Sequence, residues 1–196
     1  RWFRIDCSNM HNLFGKSVEN IEEPEIKKIK EVLNRYQTEV AVIGSPVGKC
    51  SLFDSREKAE HLEIFKKMCD LARELDTDLI RTFPFWVPEK YREDSSRPPL
   101  DQFLDQIVSG LNPMLEIAEK EGVKMCFETE ASTFSGNCRE LQTILDRLDS
   151  PAARVTWDIL NGWNTEEELH YPDGYQLIKG QIEHLHIKPN SHDNIK

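Results

Sequence analysis

The sequence predicts an α/β fold with a parallel sheet, on two observations. Short apolar runs of strand length alternate with longer segments in which apolar residues recur every three or four positions. Turns of the kind that join antiparallel hairpins are few, so the strands are expected to be connected through helices and to run parallel. With 196 residues, 38% of them hydrophobic, the chain can bury one sizeable core. A single domain over residues 1–196 is therefore expected.

Six segments of the chain have the length and composition of strands. Each is a short, mostly apolar run bounded by polar or turn-forming residues. In chain order they are residues 2–7, 39–45, 79–85, 123–129, 154–159 and 182–188. Helical stretches are expected between them.

Three of the intervening segments have the apolar spacing of an amphipathic helix. They are residues 60–75, 100–121 and 138–148. In the first, Leu62 and Phe65 begin an apolar stripe with charged residues on the other side. Gly122 ends the second helix as a C-cap, since glycine readily adopts the left-handed conformation. The polar, proline-bounded segment 88–99 follows a strand and is expected to be a loop at the rim of a site.

Composition narrows the range of partners and compartments. The 35 acidic against 25 basic residues give a net charge of −10, which opposes binding to nucleic acid. No apolar run approaches the roughly 20 residues of a membrane span, and the start lacks the pattern of a signal peptide. Five cysteines without a C-x-x-C spacing suggest reduced thiols and a cytoplasmic location. The chain starts at Arg1 rather than Met, so a segment upstream is expected to be missing.

Metal-capable side chains end three successive strand-like segments. These segments cover residues 124–130, 154–159 and 182–188. A carboxylate or imidazole framed by Phe127, Trp157 or Leu185 is costly to bury unless it is paired or binds a cation. Three such side chains on three successive strands therefore suggest one shared site.

Four motifs in these positions resemble the xylose isomerase-like TIM-barrel superfamily of sugar phosphate isomerases and epimerases. They are GSPVGK at residues 44–49, FETE at 127–130, WDILN at 157–161 and HLHIK at 184–188. The resemblance implies a (β/α)8 barrel in which the six predicted strands are the second to the seventh. The first and eighth strands have no counterpart in the chain, so as written it is not expected to close.

The resemblance also implies a metal centre. In that family a Glu, an Asp and a His at the ends of three barrel strands bind one divalent ion, together with a Glu from the eighth strand. Carried over by motif, the three are Glu128, Asp158 and His186, and the fourth ligand has no counterpart here. Oxygen and imidazole donors without thiolate suit Mn²⁺, Mg²⁺ or Co²⁺. The family often has a histidine where this chain has Asn161 and an aspartate where it has Pro189.

The chemistry expected of such a centre is proton transfer beside a sugar carbonyl. This transfer creates an enediolate, whose negative charge has to be stabilised while a carboxylate takes and returns the proton. Glu128 would be both metal ligand and catalytic acid/base. Strand alternation places Glu130 one layer further out on the same face, suited to binding substrate hydroxyls, and His184 one layer deeper than His186, where it could orient the ligands.

Further substrate-binding candidates lie just beyond strand ends. They are Lys49, Arg81, Trp86, Asn161 and Lys188. The three cations could bind a substrate phosphate, and Trp86 could stack on a sugar ring. Each has a structural alternative: Arg81 could simply pair with Glu128, and Trp86 could cover the core. The motif at 44–49 lacks the spacing of a P-loop, so nucleotide phosphate binding is rejected.

The leading prediction is a divalent-metal-dependent sugar or sugar-phosphate isomerase or epimerase. Both reactions pass through an enediolate, so the sequence does not choose between them. The alternative is a truncated, non-catalytic barrel that binds a sugar or a partner chain. An abasic-site endonuclease is disfavoured by the acidic charge and the single triad. A small-molecule sugar is the expected partner, with neither nucleic acid nor membrane, and a homo-oligomer is left open.

Overall fold

The computed structural model describes residues 2–6, 14–93, 96–162 and 170–188. Within them, six parallel strands form one sheet whose spatial order is the order of the chain. The strands are β1 (Trp2–Asp6), β2 (Glu39–Gly44), β3 (Leu79–Thr82), β4 (Lys124–Glu128), β5 (Ala153–Asp158) and β6 (Ile182–His186). Parallel strands in sequential order with helical crossovers are the wall of a (β/α)8 barrel. The predicted fold class is confirmed: the described chain is an incomplete TIM barrel.

Helices connect the strands. They are α1 (Glu23–Tyr36), α2 (Ser55–Glu74), α3 (Glu89–Glu93), α4 (Leu104–Glu121), α5 (Cys138–Leu148), α6 (Ile159–Gly162) and α7 (Tyr175–Ile178). Short 3₁₀ turns at Val18–Asn20 and Leu100–Gln102 and a π-helical turn at His170–Gly174 complete the described secondary structure. Among the described helices, none combines the length and the apolar character needed to cross a membrane.

The predicted strands agree with the structure, whereas several helices differ from the prediction in their limits or were not predicted. All six strands are present and end within three residues of their predicted limits. Helix α2 begins earlier than predicted, because Asp54 caps it by accepting hydrogen bonds from the backbone amides of Arg56 (2.8 Å) and Glu57 (3.1 Å). The predicted loop over 88–99 contains the short helix α3, and α1 was not among the three predicted helices.

The two faces of the sheet have different neighbours. Ile80, Met125 and Val155 lie on the face that packs against the helices and belong to the main hydrophobic core. Side chains one residue along each strand point to the other face, because successive side chains of a strand alternate. On β4 and β5 this places Glu128 and Asp158 on the inner side of the barrel wall. The core therefore fixes the strands, and the inner face is left for polar side chains.

The described cysteines are buried free thiols. They are Cys50, Cys69, Cys126 and Cys138. Burial raises the pKa of Cys50 and of Cys69 to about 12, so both are protonated thiols at neutral pH. Cys7 lies outside the described residues.

Candidate metal centre

Glu128, Asp158 and His186 are the last residues of three adjacent strands, β4, β5 and β6. Because the carboxyl ends of parallel strands meet at one edge of the sheet, their side chains converge. One donor atom from each residue lies within 4.8 Å of the others. All three side chains are buried, with exposed fractions of 4%, 0% and 6%. The structure thus brings together the three residues that the sequence predicts as metal ligands.

Each carboxylate of this cluster faces a basic group. His186 Nδ1 lies 3.0 Å from Glu128 Oε1 and 3.4 Å from Asp158 Oδ2. Arg81 Nη1 lies 3.3 Å from Glu128 Oε2, and Lys188 Nζ lies 2.5 Å from Asp158 Oδ2. The pairing of Arg81 with Glu128, which was the structural alternative for both residues, is therefore present. These contacts offset the cost of burying two negative charges.

Asp158 is held in place by the start of the next helix. Its Oδ1 atom accepts hydrogen bonds from the backbone amides of Leu160 (3.2 Å) and Asn161 (3.1 Å). Burial favours the protonated acid, but the close contacts with His186 and Lys188 and the hydrogen bond from the Asn161 amide outweigh it and lower the pKa of Asp158 to about 2. Asp158 is therefore an anion at neutral pH.

The strand end that carries Glu128 is tied to the neighbouring strand and to the following loop. Thr129 Oγ1 donates to the Asp158 carbonyl (3.0 Å) and accepts from the Asp158 amide (2.9 Å). Ser135 Oγ donates to the Glu128 carbonyl at 2.7 Å. Asn161 Nδ2 donates to the Thr129 carbonyl at 2.9 Å and lies 3.4 Å from Glu128 Oε1. The two carboxylates are thus positioned by backbone and side-chain hydrogen bonds of one connected unit.

The donor set fits a divalent cation. Asp158 Oδ2 is buried and accepts no hydrogen bond of suitable angle from the described residues, although Lys188 lies close to it. An anionic oxygen close to donor atoms of two other residues is what a metal ligand requires. Two carboxylates and an imidazole without thiolate match the ligands of Mg²⁺, Mn²⁺ or Co²⁺. Within the described ranges this is the single cluster of three such residues.

The outer predicted residues form a second group beside the centre. Lys49 Nζ lies 3.6 Å from Glu130 Oε2 and sits over the rings of Phe83 (4.3 Å to the centroid) and Trp86 (5.3 Å). Ser132 Oγ donates to Glu130 Oε1 at 3.1 Å. Glu130, Lys49 and Trp86 are therefore brought together: Lys49 pairs with Glu130, and its ammonium group lies over the ring of Trp86.

The remaining predicted residues border the centre directly. Lys188 Nζ also donates to Asn161 Oδ1 at 3.1 Å, which links these two candidates to each other. His184 is half-buried, and its ring lies edge-on to that of His186 with centroids 5.2 Å apart. The two histidine rings therefore lie next to each other, as the alternation of side chains along the strand predicts. Pro189 lies outside the described residues.

His170 belongs to the surroundings of the centre, and sequence reasoning missed it. It is fully buried, and its Nε2 atom accepts a hydrogen bond from Trp157 Nε1 at 2.7 Å. The same nitrogen lies 3.3 Å from the Asp158 carbonyl, and Nδ1 lies 3.5 Å from Cys138 Sγ. A histidine in a segment without strand or helix periodicity carries no sequence signal for this position, because its contacts with Trp157 and Cys138 are set by tertiary packing.

Comparison with known proteins points to one family. The sequence profile of the xylose isomerase-like TIM barrel family matches residues 2–195. No curated protein matches the chain. Among solved structures, a D-tagatose 3-epimerase-like protein is 23% identical with a TM-score of 0.74, and the match covers 96% of this chain and 67% of that one.

Two other solved structures extend this comparison. The probable 3-DHS dehydratase of petrobactin synthesis from Bacillus anthracis is 20% identical with a TM-score of 0.68, covering 87% of this chain and 59% of that one. A xylose isomerase-like TIM barrel protein from Mycobacterium smegmatis, in complex with magnesium, is 15% identical with a TM-score of 0.66, covering 88% and 58%. The chain spans about three fifths of the length of these two proteins. At such identities the likeness is one of fold.

Proposed function

We propose that the chain, which belongs to the xylose isomerase-like TIM-barrel family, acts as a divalent-metal-dependent sugar or sugar-phosphate isomerase or epimerase. The observation that carries this proposal is the convergence of Glu128, Asp158 and His186 at the carboxyl ends of three adjacent strands, with donor atoms within 4.8 Å. The carboxyl end of the barrel is where TIM-barrel enzymes hold their active sites. The structural similarity to a D-tagatose 3-epimerase-like protein supports a sugar as the substrate class.

The proposed ligands of the ion are Glu128, Asp158 and His186. When bound, a divalent cation supplies positive charge beside the substrate carbonyl and so favours loss of the neighbouring proton. Asp158, with a pKa of about 2, stays anionic and contributes one charged donor. His186 contributes a neutral nitrogen, since a ring nitrogen has to be unprotonated to bind a metal.

Glu128 is the proposed acid/base. Arg81 Nη1 faces its Oε2 atom at 3.3 Å, while its Oε1 atom faces His186 and Asn161. The guanidinium of Arg81 is itself held by the Ser45 carbonyl at 3.2 Å, so the carboxylate has a fixed orientation. A carboxylate held in this way can take a proton from a substrate carbon and return it without reorganising.

The group next to the centre is proposed to bind the substrate. Trp86 is partly exposed and offers an aromatic face on which a sugar ring can stack, and Glu130 and Lys49 offer hydrogen-bonding groups beside it. Lys188 and Asn161 border the centre beside Asp158 and can reach substrate oxygens. Lys49, Arg81 and Lys188 are cations that can pair with a phosphate group, so sugar phosphates are included among the proposed substrates.

A second candidate is a dehydratase. The specific observation in its favour is the structural similarity to the probable 3-DHS dehydratase. Removal of a proton beside a carbonyl is the first step of both reactions, and the two diverge when a hydroxyl group leaves. Products separate them: isomerisation and epimerisation conserve substrate mass, whereas dehydration lowers it by one water.

The experiment that tests the proposal is proton exchange in D₂O. The protein is freed of metal with EDTA, reloaded with Mn²⁺, Mg²⁺ or Co²⁺, and incubated with ketoses, aldoses, sugar phosphates and a 3-dehydro acid. NMR and mass spectrometry then report deuterium beside the carbonyl and any change of product mass. We expect exchange by the wild type and its loss by about 100-fold or more in Glu128→Gln.

Glu116→Gln is the matched control, because Glu116 is an exposed carboxylate on α4. It is expected to exchange like the wild type, and circular dichroism checks that both variants are folded. Wild-type exchange in Glu128→Gln would contradict the assigned role. Absence of both metal binding and exchange in the wild type would favour the non-catalytic alternative.

A further inference from the structure

Lys188 places its ammonium group against the oxygen of Asp158 that faces the metal centre. Lys188 Nζ lies 2.5 Å from Asp158 Oδ2 and 3.1 Å from Asn161 Oδ1. The Asp158 side chain is fully buried, whereas that of Lys188 is 43% exposed. The lysine thus reaches from solvent into the centre, and its charge lies against one of the donors proposed for the ion.

Among the described residues, the charged groups in direct contact with Glu128 and Asp158 balance these two carboxylates. Glu128 and Asp158 bring two negative charges, and Arg81 and Lys188 bring two positive ones at 3.3 and 2.5 Å. A divalent cation bound to Asp158 Oδ2 would meet the ammonium group within a few ångströms, where like charges repel strongly in a partly buried site. One of the two basic groups therefore has to move when an ion binds.

Lys188 is the group that can move. The Arg81 side chain is 9% exposed and is anchored by its hydrogen bond to the Ser45 carbonyl. Lys188 has a partly exposed side chain and lies two residues beyond the end of β6, so its ammonium can swing into solvent without disturbing the sheet. When the ammonium of Lys188 leaves Asp158, one ion pair is broken. The free energy of breaking that pair reduces the free energy of metal binding.

We propose that Lys188 is the built-in counter-cation of the metal centre: it holds Asp158 Oδ2 in the metal-free protein, leaves it when a divalent ion binds, and thereby weakens the affinity of the centre. The inference rests on the proposed metal site. It assigns Lys188 a positioning role in the metal-free state and a competing role toward the ion. A lysine that merely supports the structure would do the opposite, because its removal would weaken metal binding.

The test is Mn²⁺ binding to EDTA-treated protein, followed by electron paramagnetic resonance. We expect Lys188→Met to bind Mn²⁺ about tenfold more tightly than the wild type, because the competing charge is gone. Lys188→Arg keeps the charge and is expected to stay within about threefold of the wild type. Lys120→Met removes an exposed lysine on α4 and is the control for net charge.

Thermal melting supplies a second readout. Without metal, Lys188→Met is expected to have a lower melting temperature than the wild type, because the Asp158 carboxylate stays buried but no longer has the lysine as its partner. With saturating Mn²⁺ its melting temperature is expected to rise by more than that of the wild type, since tighter binding stabilises the folded state more.

The possible outcomes separate this inference from the proposed function. Equal or weaker Mn²⁺ binding by Lys188→Met, with binding by the wild type, overturns the inference and leaves the metal centre standing. Binding by Lys188→Met alone supports the inference. Absence of Mn²⁺ binding by every variant overturns both.

Discussion

Replacing Arg97 by methionine tests whether one buried ion pair holds the loop behind the candidate centre. Arg97 Nε and Nη2 donate to the carboxylate of Glu140 on α5 at 2.9 and 2.6 Å. Nη2 also donates to the Thr133 carbonyl at 2.7 Å, and Nη1 bonds the Ala131 carbonyl. The guanidinium therefore joins α5 to the loop that follows β4 and the Glu128 strand end. Sequence reasoning did not identify this residue.

The expected loss of stability follows from burial. The two side chains are 18% and 12% exposed, so removal of Arg97 leaves the Glu140 carboxylate largely buried without its cation. Removing one partner of a buried pair costs about 3–5 kcal/mol, and we expect Arg97→Met to fall near the lower end. Removing both partners in Arg97→Met/Glu140→Met is expected to cost about 2 kcal/mol less, because no buried charge is left.

The pH dependence of this loss has a defined sign. Burial raises the pKa of Glu140 above its ordinary value, and the hydrogen bond from Arg97 opposes that rise. An acid whose pKa is raised on folding contributes stability below its unfolded pKa and loses it as pH rises through the folded pKa. Without Arg97 the pKa of Glu140 rises further. The destabilisation by Arg97→Met is therefore expected to be largest at pH 8 and to shrink toward pH 5.

Urea unfolding at both pH values measures these differences as free energies of unfolding. Lys66→Met is the control, because Lys66 forms an exposed pair with Glu63 and such pairs contribute less than about 1 kcal/mol. A loss below about 1 kcal/mol in Arg97→Met at pH 8, with an unchanged denaturant slope, would refute the argument. A double variant as unstable as Arg97→Met would refute the charge-burial explanation.

Two further predictions concern backbone strain and the charge of Asp158. Gly48 has a φ of +85° and an added Cβ would lie 1.7 Å from the Phe83 carbonyl oxygen, whereas Gly122 has a φ of +70° and open space. Gly48→Ala is expected to cost more than about 3 kcal/mol and Gly122→Ala about 1 kcal/mol in urea unfolding; equal costs would contradict the steric argument. Folding lowers the pKa of Asp158 from 3.8 to about 2, so its charge contributes stability above pH 4 that is lost as pH falls toward 2. Asp158→Asn is expected to cost about 2 kcal/mol at pH 7 and clearly less at pH 3; a loss independent of pH would show that charge is not the cause.

The strand ends illustrate what could be predicted from sequence. Apolar runs of strand length gave six strands within three residues of their observed ends, since parallel strands are buried on both faces and their runs end where the chain leaves the sheet. Glu128 and Asp158 follow such runs directly, so their convergence could be anticipated from strand order alone. Helix α2 shows the limit of periodicity: its first turn has no apolar stripe and is determined by the Asp54 cap.

The partners of the centre could not be predicted in the same way. Arg81 next to Glu128 was one of two alternatives, and its choice depends on the register of β3 against β4. Lys188 next to Asp158 depends on the direction of the chain after β6. His170 and Arg97 lie in segments without periodicity, and their contacts with Trp157 and with the loop after β4 are set by tertiary packing.

The sequence by itself determined the parallel α/β class, the six strand segments and the metal-capable side chains near the ends of three of them. These features follow from local patterns, because burial of a strand selects its side chains one by one and the crossover direction brings the strand ends to one edge. Only the tertiary structure decided which cation faces which carboxylate, how the loops hold the strand ends, and that Lys188 lies against Asp158. Those contacts join residues far apart in the chain through curvature and loop paths, and no local pattern of side chains encodes such distances.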